Sequence, residues 1–370
     1  MMETYDTIVI GCGGVGSATL YQLAKRGQRV LALDRFPKAH SHGSSHGQTR
    51  IIRQAYFEHP DYVPLLLRTY ELWRELETAT NTSLFKQVGL LEVGPADGIL
   101  IPGVMQSVKQ HGLAIERLSA SEASARFPFL IPAEQQIAFE TTAGYLLVEE
   151  CVRAHLAAAV GLGATWKQEV AIDWSASNTS VQVTTADATY SAGSIVICGG
   201  AWSSSLLHEV GVQLTVREKH QYWFAAPPQA NNMPTFFFET SQGEFYGIPQ
   251  IGQSGIKIAQ HTGGRKYNGP FDVSSARDET DLEQVRAFAA AHLNFEVGPL
   301  LSRQACMYTN SPDQHFVIDQ HPQHPNVVFA SGLSGHGFKF TAVLGAILAQ
   351  LTCGAEPELA IDFLRLSRFQ

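Results

Sequence analysis

The sequence predicts an α/β protein in which a doubly wound, Rossmann-like domain is interleaved with a second domain built on a mixed sheet. Three observations predict this fold. The chain begins with a strand, a glycine turn, a helix and a second strand; it returns to a buried strand and another glycine-rich turn near its end; and aromatic-rich strands of alternating polarity lie between. Buried runs that alternate with helices favour a parallel sheet, and alternating runs favour an antiparallel one.

Length and composition support a globular chain of about two domains, at roughly 150 residues each. Of the 370 residues, 45% are hydrophobic and 16% are charged, which supplies a large core and excludes fibrous and disordered classes. With 26 basic and 34 acidic residues the net charge is −8, which argues against a nucleic-acid partner. Any anionic ligand must therefore be held by local cations.

The first unit carries a phosphate-binding motif. Apolar runs at residues 7–10 and 29–34 predict parallel strands, and residues 18–25 predict a helix that ends at Gly27. The turn between them has the pattern G-x-G-x-x-G, whose glycines allow a tight turn, close approach of a pyrophosphate and close helix packing. This turn consists of Gly11, Cys12, Gly13, Gly14, Val15 and Gly16. Asp34 ends the second strand, where a carboxylate accepts ribose hydroxyls, so the unit predicts dinucleotide binding.

The elements that follow alternate between the two domains. Residues 40–48 are rich in His, Ser and Gly and predict a loop. Helical spacing is present at residues 62–75, 120–126, 148–160 and 340–351. Strands are predicted at residues 88–93, 181–184, 194–198 and 326–330. Between about residues 213 and 310, aromatic-rich alternating runs predict an antiparallel sheet. We therefore assign residues 1–84, 146–212 and 320–370 to the dinucleotide domain and residues 85–145 and 213–319 to the second domain.

Cysteine usage and the two ends of the chain predict a cytoplasmic protein that is neither exported nor membrane-bound. The five cysteines are scattered, with no spacing typical of zinc or of a disulfide framework. The first residues lack a basic region before an apolar stretch, and no apolar run approaches the roughly 18 residues of a spanning helix. No metal site is predicted.

Four further segments resemble one enzyme family. Residues 43–53 read GSSHGQTRIIR, residues 305–309 read ACMYT and residues 334–340 read SGHGFKF. Together with the glycine motif, these segments resemble the monomeric sarcosine oxidase and N-methyltryptophan oxidase family. The fourth segment, residues 363–370, resembles N-methyltryptophan oxidase more than it resembles sarcosine oxidase. The resemblance implies a monomeric FAD enzyme whose FAD-binding domain has the glutathione-reductase or D-amino-acid-oxidase type of fold. Such enzymes oxidise the N-methyl group of a secondary amino acid with O2, and the products are the amino acid, formaldehyde and hydrogen peroxide.

The resemblance implies that FAD is bonded covalently through its 8α-methyl carbon to the sulfur of Cys306. The alternative is a buried core cysteine, which is the usual environment of a free thiol. The glycine motif and the resemblance together predict the cofactor-binding residues Gly11, Gly13, Gly14, Val15, Gly16, Asp34, Arg35, Ser44, Thr49, Arg50, Val170, Cys306, Gly335, His336, Gly337 and Lys339.

By the same resemblance, Arg53 and Lys339 bind the substrate carboxylate, with Tyr246 and Tyr308 beside them. A carboxylate that enters a desolvated pocket needs cationic hydrogen-bond donors, and the planar arginine group suits its geometry. The alternative for Arg53 is a structural ion pair.

Lys257 and His261 fall four residues apart in an alternating run, so a strand would place Lys257, Ala259 and His261 on one face. The resemblance implies that Lys257 activates oxygen near the flavin, where a fixed positive charge stabilises superoxide. The alternative is a solvent-facing lysine on an ordinary strand. The resemblance implies catalytic roles for Arg50, His46, Tyr246 and His261 as well.

This chain departs from the family pattern at Ser45, Gln48, Gln54 and Phe57, which bears on pocket shape and leaves the preferred substrate side chain open. Two alternative functions stay open: an oxidase or dehydrogenase for another amino acid, and a flavin-binding subunit without turnover of its own.

Overall fold

The computed structural model describes residues 3–267 and 278–369. The predicted domain ranges therefore include a few residues outside the described part: 1, 2, 268–277 and 370. The helices are α1 (Gly14–Lys25), α2 (Tyr62–Thr80), α3 (Leu100–His111), α4 (Ala120–Arg126), α5 (Val148–Gly161), α6 (Ser203–Leu206), α7 (Glu279–His292) and α8 (Thr341–Thr352).

The strands follow one another through the whole chain. They are β1 (Thr4–Ile10), β2 (Val30–Asp34), β3 (Thr49–Ile52), β4 (Phe85–Gln87), β5 (Leu90–Gly94), β6 (Glu116–Leu118), β7 (Gln136–Glu140), β8 (Gly144–Leu147), β9 (Thr165–Gln168), β10 (Asp173–Ala176), β11 (Val181–Thr184), β12 (Thr189–Ile197), β13 (Thr215–Phe224), β14 (Thr235–Thr240), β15 (Gly243–Ile248), β16 (Ile256–Gln260), β17 (Arg265–Lys266), β18 (Leu300–Asn310), β19 (Val317–His321) and β20 (His324–Ser331).

The first sheet has a parallel core in the order β20–β12–β1–β2–β9, and β10, β11 and β19 add antiparallel strands at one side. Its central strands are apolar on both faces, with Ile8 and Val9 fully buried, as expected for a sheet covered by helices. Helices α1 and α8 pack side by side on it. A Cβ atom on Gly345 would collide with Ala18, so the absence of a side chain there allows this close packing.

The second sheet has the order β17–β13–β16–β15–β14–β5–β7–β6, and β18 pairs with β13. Most of its pairs are antiparallel, but β14 and β5 run parallel, which makes the sheet mixed. Aromatic side chains fill its core beside α7, where Phe245 and Phe288 stack with ring centroids 4.6 Å apart. A small third sheet, β3–β8–β4, lies in the chain between strands of the other two.

The structure confirms the predicted fold class, with small differences in the bounds of the elements. Helix α2 continues past the predicted residue 75 to Thr80, because nothing in that stretch breaks a helix until Asn81 adopts a left-handed φ of 51°. Strand β5 begins at Leu90 because Gly89, with φ of 79°, forms the turn before it. Of the helices in residues 3–267 and 278–369, none combines the length and apolar character that crossing a bilayer requires.

Candidate active site

A long cleft of about 450 Å³ opens at the carboxyl ends of β1 and β2. The glycine turn forms one side of it. Gly11 has φ of 84°, and a Cβ atom there would collide with the Cys198 carbonyl oxygen, while a Cβ atom on Gly16 would collide with the Gly11 carbonyl oxygen. The turn therefore brings its backbone against the cleft at the N-terminus of α1, where free N–H groups favour an anion.

Asp34 lies at the end of β2 beside this turn. Its carboxylate accepts hydrogen bonds from the backbone N–H groups of Cys12, at 2.6 Å, and Phe36, at 2.9 Å. A carboxylate has room for about four such bonds, so it keeps capacity for ribose hydroxyls. Ser45, one of the departures from the family pattern, accepts a hydrogen bond from the Gly14 N–H at 2.9 Å. This contact fixes the loop of residues 40–48 against the glycine turn.

The far part of the cleft is lined by the second glycine-rich turn and by β18. The predicted cofactor residues along the cleft are Gly11, Gly13, Gly14, Val15, Gly16, Asp34, Arg35, Ser44, Arg50, Val170, Cys306, Gly335 and Gly337. Thr49 lines neither this cleft nor the smaller cavity described below. His336 and Lys339 line that smaller cavity instead.

Cys306 is buried in β18 and meets Arg50 of β3 at this end of the cleft. The Arg50 Nη2 atom lies 3.3 Å from the sulfur and also donates to the Ser44 carbonyl oxygen at 3.0 Å. Burial opposes ionisation of the thiol, but Arg50, His46 and Lys257 outweigh it and lower the pKa of Cys306 to about 7. A substantial fraction of this buried sulfur is therefore thiolate at neutral pH, which is the nucleophilic form.

A smaller cavity of about 50 Å³ adjoins the cleft. The two spaces share the lining residues Arg50, Tyr308, Gly335 and Phe338. All four predicted substrate residues, Arg53, Tyr246, Tyr308 and Lys339, line it together with His261. The structure thus places side chains from β3, β15, β18 and the end of β16 around one space.

Arg53 is buried and is paired with two glutamates that sequence reasoning missed. Its Nη2 atom donates to Glu58 at 2.9 Å, and its Nε lies 3.6 Å from Glu92. Burial opposes ionisation of Glu58, but Arg53 and the nearby His336 and Lys339 lower its pKa to about 2. Burial raises the pKa of Glu92 to about 8 against the pull of Arg53. Arg53 therefore has one ionised partner at the cavity and a largely protonated one behind it at neutral pH.

A hydrogen-bonded chain positions Lys339. Its Nζ donates to the His336 carbonyl oxygen at 2.7 Å and to the Tyr56 hydroxyl at 3.4 Å. His336 Nε2 lies 3.0 Å from the Gln314 carbonyl oxygen, so it carries the proton, and Nδ1 accepts from Tyr56 at 2.6 Å. Burial and the Arg53 charge lower the pKa of Lys339 to about 7, although Glu58 opposes the shift.

The opposite wall of the small cavity carries a neutral histidine between phenols. His261 Nδ1 lies 3.2 Å from the Tyr308 hydroxyl, and its ring packs edge-on against Phe237 and Tyr246. Burial lowers the pKa of His261 to about 3, so the imidazole is neutral at physiological pH. Burial raises the pKa of Tyr246 to about 12 against the Arg50 charge, so this phenol stays protonated.

Lys257 lies in β16 and is 1% exposed, which excludes the solvent-facing alternative. Its Nζ donates to the carbonyl oxygens of Gly47, at 2.8 Å, and Thr49, at 2.9 Å. The predicted alternation of faces along this strand is partly observed. Ala259 packs with Tyr246 in one core cluster, whereas Ile258 belongs to a different core cluster. His261, just beyond the strand, lines the small cavity, whereas Lys257 lines neither space.

Two predicted residues, His46 and Thr49, are buried and line neither space. His46 is buried, with its ring nitrogens 3.0 Å from the Gly43 carbonyl oxygen and 3.3 Å from Gln304 Oε1. The Thr49 side-chain oxygen is buried with no hydrogen-bond partner.

The missed residue Glu92 had one sequence signal, because it is a single acid within the apolar run of β5. Glu58, which lies in a loop, had no such signal.

Comparison with known proteins decides the family. The profile described as "FAD dependent oxidoreductase" (DAO) matches residues 6–351, which is nearly the whole chain. The chain belongs to the FAD dependent oxidoreductase family. This family member is an oxidoreductase.

Curated relatives agree with the resemblance predicted from the motifs and confirm it. Monomeric sarcosine oxidase of Streptomyces avermitilis is 40% identical over 362 residues, which cover 95% of this chain and 94% of the relative. N-methyl-L-tryptophan oxidase of Escherichia coli is 37% identical over 376 residues, covering 99% and 100% of the two chains. Among solved structures, NikD, described as an unusual amino acid oxidase essential for nikkomycin biosynthesis, superposes with a TM-score of 0.85 at 26% identity over 98% of this chain and 97% of its own.

The residues present fit the FAD that the family name implies. The glycine turn leaves no space for a Cβ atom at Gly11 or Gly16, and the cleft beside it is long enough to run from Asp34 to Cys306. Buried hydroxyl oxygens without a hydrogen-bond partner occur along the cleft at Ser331 and Thr341, as expected where a polar ligand completes the bonding. In the described part of the chain, no group of three or more metal-ligating side chains is arranged around a point.

Proposed function

We propose that this enzyme oxidises the N-methyl group of a secondary amino acid, using FAD and O2 and producing the amino acid, formaldehyde and hydrogen peroxide. One observation carries the proposal: a nucleophilic cysteine ends a dinucleotide cleft at the point where the cleft opens into a cavity with two buried cations, Arg53 and Lys339. The names of the relatives from Streptomyces and E. coli favour the same substrate class. We further propose that the chain acts as a monomer, as the name of the Streptomyces relative says of that protein.

FAD would be held by the glycine turn at its pyrophosphate, by Asp34 at its ribose and by Cys306 at the 8α-methyl carbon. The Arg50 guanidinium, 3.3 Å from the sulfur, favours the thiolate that such a bond requires. When bound, the cofactor takes two electrons and a proton equivalent from the substrate carbon and passes electrons to O2. The protein supplies placement, charge and exclusion of water.

The substrate carboxylate would bind Arg53 and Lys339. In the structure Glu58 holds the arginine, so the incoming carboxylate must displace Glu58 or share the guanidinium with it. Because the pKa of Lys339 is lowered to about 7, an arriving anion also stabilises its protonated form. Carboxylate binding should therefore take up a proton when the pH lies somewhat above 7.

Oxidation requires a neutral amine, because the nitrogen lone pair must stabilise the developing iminium. The cavity wall of His261, Tyr246 and Tyr308 is uncharged at neutral pH and does not stabilise an ammonium as a carboxylate would. Lys257, beside Arg50 and the turn of residues 47–49, would supply the positive charge for the reaction with O2.

A panel of N-methyl amino acids, with sarcosine and N-methyl-L-tryptophan included, tests the proposal. Purified protein alone should release hydrogen peroxide and formaldehyde in equal amounts with at least one of them, and kcat/KM identifies the preferred side chain. Peroxide without formaldehyde on a primary or cyclic amino acid would assign the enzyme to another amino acid. No peroxide with any substrate would favour the flavin-binding subunit.

A further inference from the structure

The turn of residues 47–49 has a strained backbone. Gln48 is not a glycine, yet its φ is 68°, and Gly47 before it has φ of 87°. The Thr49 N–H donates to the Gly47 carbonyl oxygen at 2.7 Å, which closes a γ-turn around Gln48. A side chain in this conformation is strained and persists only where the surroundings hold it.

Glu149, in the first turn of α5, holds this turn from one side. One carboxylate oxygen accepts from the Gly47 N–H at 2.8 Å, and both oxygens lie 3.1 Å from the Gln48 N–H. The backbone N–H of Val148, the residue before Glu149, donates back to the Gln48 carbonyl oxygen at 3.0 Å. The carboxylate is at the helix end where the dipole favours a negative charge.

The Gln48 side chain ties the turn to the second sheet. Its Nε2 donates to Ser254 Oγ at 2.9 Å, and its Oε1 accepts from the Trp223 indole N–H at 3.1 Å. The same indole ring lies 5.2 Å from the Lys257 nitrogen, a cation–π distance. The turn, the Trp223 indole and β16 therefore together hold the Lys257 side chain in place.

The turn of residues 47–49 binds the ammonium group of Lys257. Its ammonium binds the carbonyls on both sides of Gln48, which point to it because Gln48 has a left-handed φ. Burial and the Arg50 charge lower the pKa of Lys257, whereas Cys306 and Glu149 oppose that shift. These are the charged groups that act on the lysine from β3, β18 and α5.

We propose that Glu149 is a positioning residue for the oxygen half of the reaction: it holds the strained turn around Lys257 and supplies the negative charge that keeps this buried ammonium protonated. The inference rests on the proposed function, in which Lys257 acts on O2. It gains weight from the proposed thioether, because a Cys306 sulfur bonded to carbon carries no charge. Among the described groups that oppose the shift, Glu149 is then the remaining acid.

The first test measures the reaction of reduced enzyme with O2 between pH 6 and 10 by stopped flow, after photoreduction so that no substrate is needed. Reoxidation of the wild type should slow as Lys257 loses its proton. In Glu149→Gln the midpoint of this fall should move down by about one pH unit, since an opposite charge nearby is worth about that much. Anaerobic flavin reduction by substrate should change less than twofold.

Glu150→Gln is the matched control. Glu150 is the next residue of α5, its side chain is 58% exposed, and it pairs only with Arg153 among the bonds of the described residues. Its pH profile should match the wild type. An unshifted midpoint in Glu149→Gln, or an equal loss in both half-reactions, would overturn the proposal.

A second measurement does not use activity. The free energies of unfolding of Glu149→Gln, Lys257→Met and the double variant should be non-additive, because both side chains hold the same turn. Additive values would contradict the proposal. If Glu149→Gln fails to fold, Gln48→Gly in the same chain relieves the left-handed strain and should restore folding while leaving the pH midpoint shifted. Restoration of the wild-type midpoint by that glycine would count against the charge role.

Failure of the proposed function has a different signature. If no N-methyl amino acid reduces the flavin, the proposed substrate class is wrong, yet photoreduced enzyme still reports on Glu149. If substrates are oxidised but the Glu149→Gln profile equals that of the wild type, the function stands and the positioning role fails.

Discussion

The ionisation of the Cys306 thiol depends on the side chains around it. Composition alone favours a buried core thiol, and the motif around it predicted a bond to flavin. The structure buries the sulfur as expected for a core cysteine, but places the Arg50 guanidinium 3.3 Å away, which a core cysteine does not need. The motif identified the residue. Two of the neighbours that lower its pKa, Arg50 and His46, come from β3 and the loop before it, more than 250 residues away in the chain, and no local pattern predicts them.

Replacing Cys306 with Ala should abolish covalent attachment of the flavin. Acid-precipitated wild-type protein should be yellow and carry the flavin mass by mass spectrometry, whereas the variant should release all colour into the supernatant. Cys353→Ser, at an exposed cysteine, is the control and should stay coloured. Colour retained in the Cys306 pellet would place the link elsewhere.

Lys257→Met should keep anaerobic reduction of the flavin within a few-fold of the wild type and slow its reoxidation by O2 at least 100-fold, in the range that one preorganised electrostatic group contributes. Stopped-flow absorbance separates the two half-reactions. Lys219→Met serves as a comparison, because Lys219 is also a buried strand lysine, in β13, and lines neither cavity. Unchanged reoxidation in Lys257→Met would exclude its oxygen role.

Glu58→Gln should tighten the binding of carboxylates. The variant removes the ionised competitor for Arg53 while keeping the size of the side chain. A charged hydrogen bond is worth about 1.5–3 kcal/mol, so acetate, followed through the flavin spectrum, should bind roughly tenfold more tightly. Arg53→Lys should weaken acetate binding instead. Equal affinity in wild type and Glu58→Gln would mean that Glu58 does not compete for the arginine.

At the scale of elements, the spacing of apolar residues and the positions of turn-forming residues predicted most of the strands and helices. This is because burial on one or both faces of an element determines which positions along it are apolar. The β1–α1–β2 unit was predicted to within a few residues, and so were α4, α5 and α8. The γ-turn at Gln48 could not be predicted, since a glutamine has no preference for positive φ. It depends on Glu149 and Lys257, which come from two other elements.

Gly11→Ala should prevent FAD from binding. The substitution strains a residue at φ of 84° and also drives a Cβ atom into the Cys198 carbonyl oxygen, so β1 and β12 must separate at the edge of the cleft. Gly27→Ala is the matched control: its φ is 77°, but nothing lies within 4 Å of a Cβ atom there. It should cost about 1 kcal/mol of stability and bind FAD normally. Flavin content per chain measures both, and a flavin-loaded Gly11→Ala protein would contradict this account.

At the scale of the whole molecule, the sequence predicted two interleaved domains and the structure has two large sheets whose strands alternate along the chain. The predicted domain boundaries stay a prediction, because β4 and β8 lie at two of them and belong to the small third sheet. The group of Glu58, Glu92 and Arg53 escaped sequence reasoning for a related reason. Its members come from a loop, a strand and the end of another strand, so only the assembled fold brings their charges together.

The buried acid Glu92 should make the stability of the whole fold depend on pH. Its pKa is raised from 4.5 to about 8 in the folded state, so the folded protein binds a proton that the unfolded chain has lost. Its contribution is therefore fully present below about pH 4.5 and is lost as the pH rises to about 8. Urea unfolding should show that Glu92→Gln gains stability relative to the wild type between pH 5 and 8. Glu71→Gln, at an exposed glutamate, should parallel the wild type, and a parallel curve for Glu92→Gln would refute the assignment.

The alternation of strands along the chain has a consequence for biosynthesis. β1 pairs in parallel with β12, which begins at residue 189, and β20 joins that sheet only through residues 324–331. Because a nascent chain emerges from its N-terminus, the apolar run at Ile8 and Val9 can pair with β2 early but waits through about half of translation for its second neighbour, β12. The cleft for the coenzyme is lined by residues as late as Thr341, so FAD can meet a complete site only after those residues have been synthesised.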